Sequence, residues 1–162
     1  MKIARLTLSD RATQGIYQDE SGPEIERVIS SIFQESIEWQ RCLLPDDLSL
    51  IAKKLFHFAD KEKCHLILTT GGTGPSARDV TPEATRQVLE KELPGFGEAM
   101  RAYSFSKVKT AILSRAIAGV RGPSLIINLP GNPKAIQECL EILGPAIAEC
   151  LDHISGFRPK LA

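Results

Sequence analysis

The sequence has no long apolar run, no excess of charge of either sign and few aromatic residues. Its twenty basic and twenty acidic residues cancel, so no overall field would draw the chain to nucleic acid or to an anionic membrane. No apolar stretch approaches the roughly 20 residues of a membrane-spanning helix. The first residues, Met1–Arg5, are typical of a strand and not of a signal peptide. We therefore expect a cytoplasmic protein that binds neither nucleic acid nor membrane.

Metal-binding and disulfide patterns are also missing. The four cysteines form no Cys-x-x-Cys pair, and the three histidines have no ligand spacing relative to them, which disfavours a zinc site. Cysteines in or beside apolar segments of a reduced protein usually serve as small core residues. Aromatic residues that could enclose a flavin are sparse near the predicted strand ends, which disfavours a flavodoxin-like flavin binder.

Apolar strands alternate with amphipathic helices along the chain. A length of 162 residues suits one domain with a sizeable core. Strands are predicted at Lys2–Leu8, Ile37–Leu44, Leu66–Leu68 and Ser124–Leu129, the last after a turn at Arg121–Pro123. Helices are predicted around Ile25–Ile32 and Leu48–Phe58, from Pro82 to Leu89 or Glu92, at Glu98–Lys107 and at Pro133–Ile154. This order predicts an α/β fold, doubly wound, with a mostly parallel sheet and helices on both faces. Residues 1–156 would form the domain and residues 157–162 a C-terminal tail.

A glycine-rich loop follows the third strand. Three glycines in four positions, Gly71 to Gly74 around Thr73, allow a sharp turn whose successive N–H groups can hold an anion. The motif is neither the dinucleotide-binding Gly-x-Gly-x-x-Gly nor the Walker loop, and the glycines alone fit a plain tight turn equally well. The Arg78–Asp79 pair just past the loop favours phosphate binding. A helix is then predicted to begin at Pro82, with Thr81 as its N-cap.

Polar residues follow the other strands as well. Ser9 and Asp10 come after the first strand, Asp46 and Asp47 after the second, and a Gly/Pro turn after the last. The carboxyl ends of parallel strands share one edge of a sheet, where open α/β proteins bind ligands. One of the two aspartates after Pro45 should cap the next helix, and the other should face this edge. Two carboxylates from neighbouring strand ends would suit Mg²⁺ among phosphates.

Together these segments resemble the MogA/MoaB family of molybdenum cofactor biosynthesis. The resemblance covers nearly the whole chain and is carried by Ser9–Arg11, Asp19–Pro23, Pro45–Asp47, Thr70–Gly74, Arg78–Glu83, Pro94–Glu98, Ile112–Arg115 and Asn128–Pro133. Pro94–Glu98 and Leu113–Arg115 are more similar to the MogA branch, the molybdopterin adenylyltransferases, than to the MoaB branch.

The resemblance implies an activity and a set of site residues. The activity is the Mg²⁺-dependent transfer of AMP from ATP to the molybdopterin phosphate, with release of pyrophosphate. The carboxylate of Asp46, and not that of Asp47, would act with Asp79 as the catalytic pair that holds the metal. The substrate-binding residues would be Ser9, Asp10, Gly71, Gly72, Thr73, Gly74, Arg78, Ser114, Arg115, Pro130, Gly131 and Asn132.

The resemblance also implies roles and partners. The glycine-rich loop would cradle phosphate, and Arg78 or Arg115 would steady the charge of the leaving pyrophosphate. Ser9 and Asp10, with the turn Pro130–Asn132, would line the pterin or the adenine pocket. The protein would form a homotrimer and pass its product to a MoeA-like metal insertase. The alternatives are a MoaB-like paralogue, whose relatives form hexamers, and a non-catalytic molybdopterin-binding module.

Overall fold

A six-stranded sheet forms the centre of the structure, a computed structural model that describes residues 1–162. The strands are Lys2–Leu8 (β1), Glu38–Leu44 (β2), Leu66–Thr70 (β3), Lys91–Glu92 (β4), Ala118–Arg121 (β5) and Ser124–Leu129 (β6). Their order in the sheet is β2-β1-β3-β6-β5-β4. The pairs β2–β1, β1–β3 and β3–β6 are parallel, whereas β5 pairs antiparallel with both β6 and β4.

Six α-helices surround the sheet. They are Asp10–Thr13 (α1), Ser21–Ile32 (α2), Leu48–Phe56 (α3), Thr81–Val88 (α4), Pro94–Lys107 (α5) and Pro133–Ser155 (α6). A π-helical turn, His57–Lys61, extends α3, and a 3₁₀ segment, Lys109–Leu113, follows α5. None of these helices combines the length and apolar content that crossing a bilayer requires.

The two faces of the sheet carry separate hydrophobic cores. In β3, Leu66 and Leu68 belong to one core and Ile67 to the other, because successive side chains of a strand point to opposite faces. The first core includes residues of α2, α5 and α6, and the second includes residues of α3 and α4. A strand covered on both sides needs a continuous apolar run, and the doubly wound prediction is confirmed.

Several boundaries differ from the predictions. Helix α5 begins at Pro94 and not at Glu98, because Pro94 fits the first turn of a helix. Gly97 lies close under the segment before β5: a Cβ there would be 2.6 Å from the carbonyl oxygen of Ala116. The two-residue strand β4 has no predicted counterpart, while β5 and β6 form an antiparallel hairpin across the predicted turn at Arg121–Pro123. The C-terminal tail packs on the end of α2, where the Gln34 N–H donates to the Lys160 carbonyl oxygen at 2.9 Å.

The strand order places a crevice beside β1 and β3. From β1 the chain moves outward to β2, and it then returns past β1 to form β3 on the other side. The point where the strand order reverses is where doubly wound sheets bind ligands, at the carboxyl ends of the strands. The residues that follow the parallel strands β1, β2, β3 and β6 therefore share this edge of the sheet.

Candidate functional site

The glycine-rich loop after β3 can be built only from glycine at its first two positions. Gly71 and Gly72 have φ values of +92° and +66°, in the left-handed region that favours glycine. A Cβ on Gly71 would overlap the carbonyl oxygen of Leu8 at the end of β1. The loop backbone thus lies directly against the end of the neighbouring strand, with no side chain between them.

Thr81 closes this loop from the far side and is not the helix cap predicted from sequence. Val80 occupies the N-cap position of α4. The hydroxyl of Thr81 instead donates to the Gly71 carbonyl oxygen at 2.9 Å, and its N–H donates to the Gly72 carbonyl oxygen at 3.1 Å. The N-cap prediction was wrong because the loop carbonyls offered this buried hydroxyl other partners.

Asp46 faces the loop and Asp47 caps α3, which is the division that the resemblance implied. The Asp47 carboxylate accepts from the Leu50 N–H at 2.9 Å. One oxygen of Asp46, Oδ2, accepts from the Asp10 N–H at 3.1 Å, and the Asp46 N–H donates to Asp10 Oδ1 at 3.0 Å. The other oxygen, Asp46 Oδ1, is buried without a partner. It lies 3.0 Å from the position that a Cβ on Gly72 would take.

Asp79 borders the same loop further along. Its Oδ2 accepts from the Ser76 N–H at 3.0 Å and lies 2.8 Å from the position of a Cβ on Gly74. Burial raises the pKa of Asp46, and the negative charges of Asp10 and Asp79 raise that pKa further. The structure therefore brings Asp46 and Asp79 to one loop, and the repulsion among the carboxylates there would be relieved by a cation.

Arg78 already has an acidic partner. Its Nε and Nη2 each donate to the Asp10 carboxylate at 2.9 Å. This paired hydrogen bond lowers the pKa of Asp10. The Arg78 side chain is 68% exposed, so its guanidinium lies at the rim of the crevice, where it would have to leave Asp10 in order to bind a phosphate.

The half-buried side chain of Arg115 points to the loop. Its Nε donates to the Gly74 carbonyl oxygen at 2.8 Å and its Nη2 to the Asp79 carbonyl oxygen at 2.9 Å. Its guanidinium also pairs with the Glu83 carboxylate, and its N–H donates to the Thr73 carbonyl oxygen at 2.9 Å. Sequence reasoning did not include Glu83 among the site residues, because its position in the first turn of α4 suggested only an ordinary helix start.

A cavity of about 520 Å³ lies between α5, the 3₁₀ segment and the start of α6. The predicted site residues Ser114, Pro130 and Asn132 line it, together with Lys107 and Lys134. The Asn132 side chain also caps α6. Thr70 Oγ1 donates to the Pro130 carbonyl oxygen at 2.7 Å, which joins the end of β3 to the turn after β6.

Ser9 and Gly131 have local partners. The Ser9 hydroxyl caps α1 by accepting from the Ala12 N–H at 3.1 Å, and it lies 2.6 Å from the Tyr17 hydroxyl. The Gly131 carbonyl oxygen accepts from the Ser21 hydroxyl at 2.7 Å. Ser9 is thus on the β1 side of the loop, away from the cavity that Ser114 lines. The predicted site residues therefore lie in two neighbouring regions at the carboxyl-terminal edge of the sheet.

Comparison with known proteins identifies the family. The family model described as "Probable molybdopterin binding domain" matches residues 4–149. The chain belongs to this molybdopterin-binding family. Among curated proteins of the family, a molybdopterin adenylyltransferase of Helicobacter pylori is 52% identical over 170 residues, with 98% of this chain and 97% of the relative covered. A molybdopterin adenylyltransferase of Escherichia coli is 40% identical over 186 residues, with 100% and 95% covered.

Solved structures of the molybdopterin-binding family share the fold. The molybdopterin biosynthesis enzyme MoaB of Thermus thermophilus superposes with a TM-score of 0.90 at 42% identity and covers 98% of this chain and 99% of its own. A MogA structure superposes with a TM-score of 0.87 at 35% identity, with 96% and 100% covered. The family membership predicted from the sequence motifs is confirmed.

Proposed function

We propose that this chain is a molybdopterin adenylyltransferase of molybdenum cofactor biosynthesis. The observation that carries the proposal is the buried, unpartnered Oδ1 of Asp46, placed at a glycine-rich loop that the Asp79 carboxylate also borders. The full-length similarity to adenylyltransferases supports it. The substrates would be ATP and molybdopterin.

The reaction is a displacement at phosphorus. An oxygen of the molybdopterin terminal phosphate attacks the α-phosphorus of ATP. A new P–O bond forms as the bond from the α-phosphorus to the oxygen bridging to the β-phosphate breaks, and pyrophosphate leaves with that electron pair. Such a transfer depends on positioning and charge neutralisation more than on covalent help from the protein. Backbone N–H groups of the loop Gly71–Gly74 would help to position the phosphates and to neutralise their charge.

The residues at the loop fit a magnesium ion bound together with substrate. No three His, Cys, Asp or Glu side chains converge in this structure in a way that could hold a metal alone. Mg²⁺, however, is usually bound by one or two carboxylates together with substrate phosphates and water. Asp46 and Asp79 would be these carboxylates, since Asp46 Oδ1 lacks any partner. When bound, the ion would neutralise phosphate charge.

The remaining predicted residues divide between two binding regions. Ser114, Pro130 and Asn132 would contact one substrate in the cavity, where Lys107 and Lys134 supply positive charge. Ser9 and Asp10 would contact the other substrate on the β1 side. Arg78 and Arg115 would both lie near the phosphates, and Arg115 would act through the Gly74 and Asp79 carbonyl oxygens to which it donates.

We also propose a cytoplasmic homotrimer that passes its product to a MoeA-like metal insertase. The apolar stripe of α6 is buried in the chain's own core. Exposed apolar side chains occur instead at Val108, Ile112 and Leu113, which are 58%, 65% and 53% exposed. Sedimentation of the purified protein measures the oligomeric state.

The activity is tested by mass analysis of the pterin after incubation of the protein with molybdopterin, ATP and Mg²⁺. We expect adenylyl-molybdopterin and one pyrophosphate per product. Asp79→Asn should slow the reaction on the order of a hundredfold, because a lost metal ligand costs several kcal/mol of transition-state stabilisation. Parental turnover by this variant, with the fold intact, would contradict the two-carboxylate mechanism.

A MoaB-like role is the second candidate, favoured by the TM-score of 0.90 and the 42% identity to a MoaB protein. The same assay separates the two functions. Binding of molybdopterin without ATP-dependent release of pyrophosphate would support the MoaB-like or non-catalytic role and would exclude the adenylyltransferase.

A further inference from the structure

Apart from one exposed ion pair, the hydrogen bonds that join segment 73–79 to the rest of the fold come from the side chain and the backbone N–H of Arg115. Three carbonyl oxygens of this segment accept hydrogen bonds from residues outside it, and Arg115 is the donor every time. The other backbone bonds of the segment are internal, such as Asp79 N–H to the Ser76 carbonyl oxygen at 3.1 Å. The exposed ion pair between Arg78 and Asp10 is the other polar link between this segment and the rest of the fold. The position of Asp79 therefore depends on Arg115.

Arg115 is in turn oriented by Glu83. The guanidinium is planar with its donors in a fixed fork, so a carboxylate on one edge of the fork sets the direction of the remaining N–H groups. Glu83 provides this carboxylate from the first turn of α4, and the pairing lowers the pKa of Glu83. Helix α4 is anchored in the second core through Ala84 and Val88. A rigid helix thus sets the orientation of the residue that holds the loop.

We propose that Glu83 is a positioning residue for the adenylyl-transfer site, acting through Arg115 on the loop end that carries Asp79. This inference rests on the proposed function. Without the Glu83 carboxylate, the guanidinium gains rotational freedom, and its bonds to the Gly74 and Asp79 carbonyl oxygens weaken. A displacement of reacting groups by about 1 Å can cost a hundredfold in rate. The loss falls on kcat, because the geometry of the reacting atoms changes while most contacts to ATP remain.

The test compares Glu83→Gln and Glu83→Ala with a matched control, Glu92→Gln. Glu92 forms a similar exposed pair with Arg86 of α4, at 2.7 Å, but has no hydrogen bond or ion pair with the loop. Steady-state kinetics give kcat and the KM for ATP. Hydrogen exchange of the Arg115 amide, which donates to the Thr73 carbonyl oxygen, reports the attachment of the loop in the ligand-free protein.

We expect Glu83→Ala to lower kcat about tenfold or more, with KM changed by less than about threefold, and to speed exchange at the Arg115 amide. Glu83→Gln keeps the shape and one acceptor, and should show a smaller change in the same direction. Glu92→Gln should match the parent in both measurements.

Three results would overturn the proposal. These are parental kcat and exchange in a folded Glu83→Ala protein, an effect on KM alone, and an equal loss in Glu92→Gln. If the parent protein forms no adenylyl-molybdopterin, the proposed function has failed, and the exchange measurement still decides whether Glu83 holds the loop.

Discussion

Replacing Asp46 by asparagine should separate activity from stability. The parent carboxylate holds a buried oxygen without a partner next to two other carboxylates, those of Asp10 and Asp79. An ionised group in such a place costs folding free energy. The amide of asparagine keeps the volume, and its oxygen can still accept from the Asp10 N–H. The change therefore removes a charge that the fold does not need.

The substitution should keep or raise the stability of the protein while it lowers the rate of adenylyl transfer. A buried polar atom left without a partner costs about 1–3 kcal/mol, and an amide at the same place recovers part of it. We expect the free energy of unfolding of Asp46→Asn at pH 7 to equal that of the parent or to exceed it by about 1 kcal/mol. Adenylyl transfer should fall at least about a hundredfold, which corresponds to about 2.7 kcal/mol of transition-state stabilisation.

The difference in stability should depend on pH. The pKa of Asp46 is raised in the folded protein above its ordinary value of 3.8. Between these two pKa values the folded state binds more protons than the unfolded state, so stability falls as pH rises through that window. Asp46→Asn lacks this titration. Its advantage over the parent should be absent below about pH 4 and should grow as the pH rises.

Urea unfolding at several pH values, combined with the product assay, measures both effects. Asp47→Asn is the matched control, because asparagine caps a helix about as well as aspartate. It should change neither stability nor activity by more than about 0.5 kcal/mol. A variant Asp46→Asn that is less stable than the parent at pH 7, or equally active, would refute the reasoning.

Two further predictions concern the loop and the core. Gly72→Ala should destabilise the protein by about 2–5 kcal/mol, because it adds a left-handed backbone cost of about 1–2 kcal/mol to an overlap with the Thr81 hydroxyl of about 1–3 kcal/mol. Gly122→Ala, at φ +50° with open space around it, should lose only the backbone cost of about 1–2 kcal/mol. Urea unfolding measures both variants, and an equal loss of stability in the two would contradict this account. Burial raises the pKa of the Cys64 thiol to about 12, so a thiol reagent at pH 8 should leave Cys64 unmodified until the protein unfolds. Peptide mass analysis checks this, and rapid labelling of the native protein would contradict it.

Local sequence patterns were enough to predict most of the architecture. The alternation of buried strands and amphipathic helices follows from periodicities that each segment carries on its own. That one of the two aspartates after Pro45 caps α3 likewise follows from the local sequence. The choice of Asp46 as the residue facing the loop came from the family resemblance, since two adjacent aspartates give no spacing that distinguishes them.

The contacts that could not be predicted join distant parts of the chain. The pairing of Glu83 with Arg115 spans 32 positions, and no local rule links an acid in a helix turn to an arginine before a later strand. The contact of Thr81 was missed for a second reason. A hydroxyl beside the start of a helix can cap the helix or donate to a loop carbonyl oxygen, and the local sequence does not distinguish the two. The start of α5 was misplaced since Pro94 and Gly95 fit a helix break as well as a first turn.

Strand β2, which precedes Asp46 of the proposed catalytic pair, lies at an edge of the sheet. Only β1 pairs with β2. Asp46 follows the end of β2 and is held by reciprocal hydrogen bonds with Asp10, which follows the end of β1. Edge elements fray at lower free energy than elements enclosed on both sides. If β2 separates from β1, the Asp46 carboxylate moves away from the glycine-rich loop, which remains attached to β3 between β1 and β6. Inactivation in mild denaturant would then precede the opening of either core.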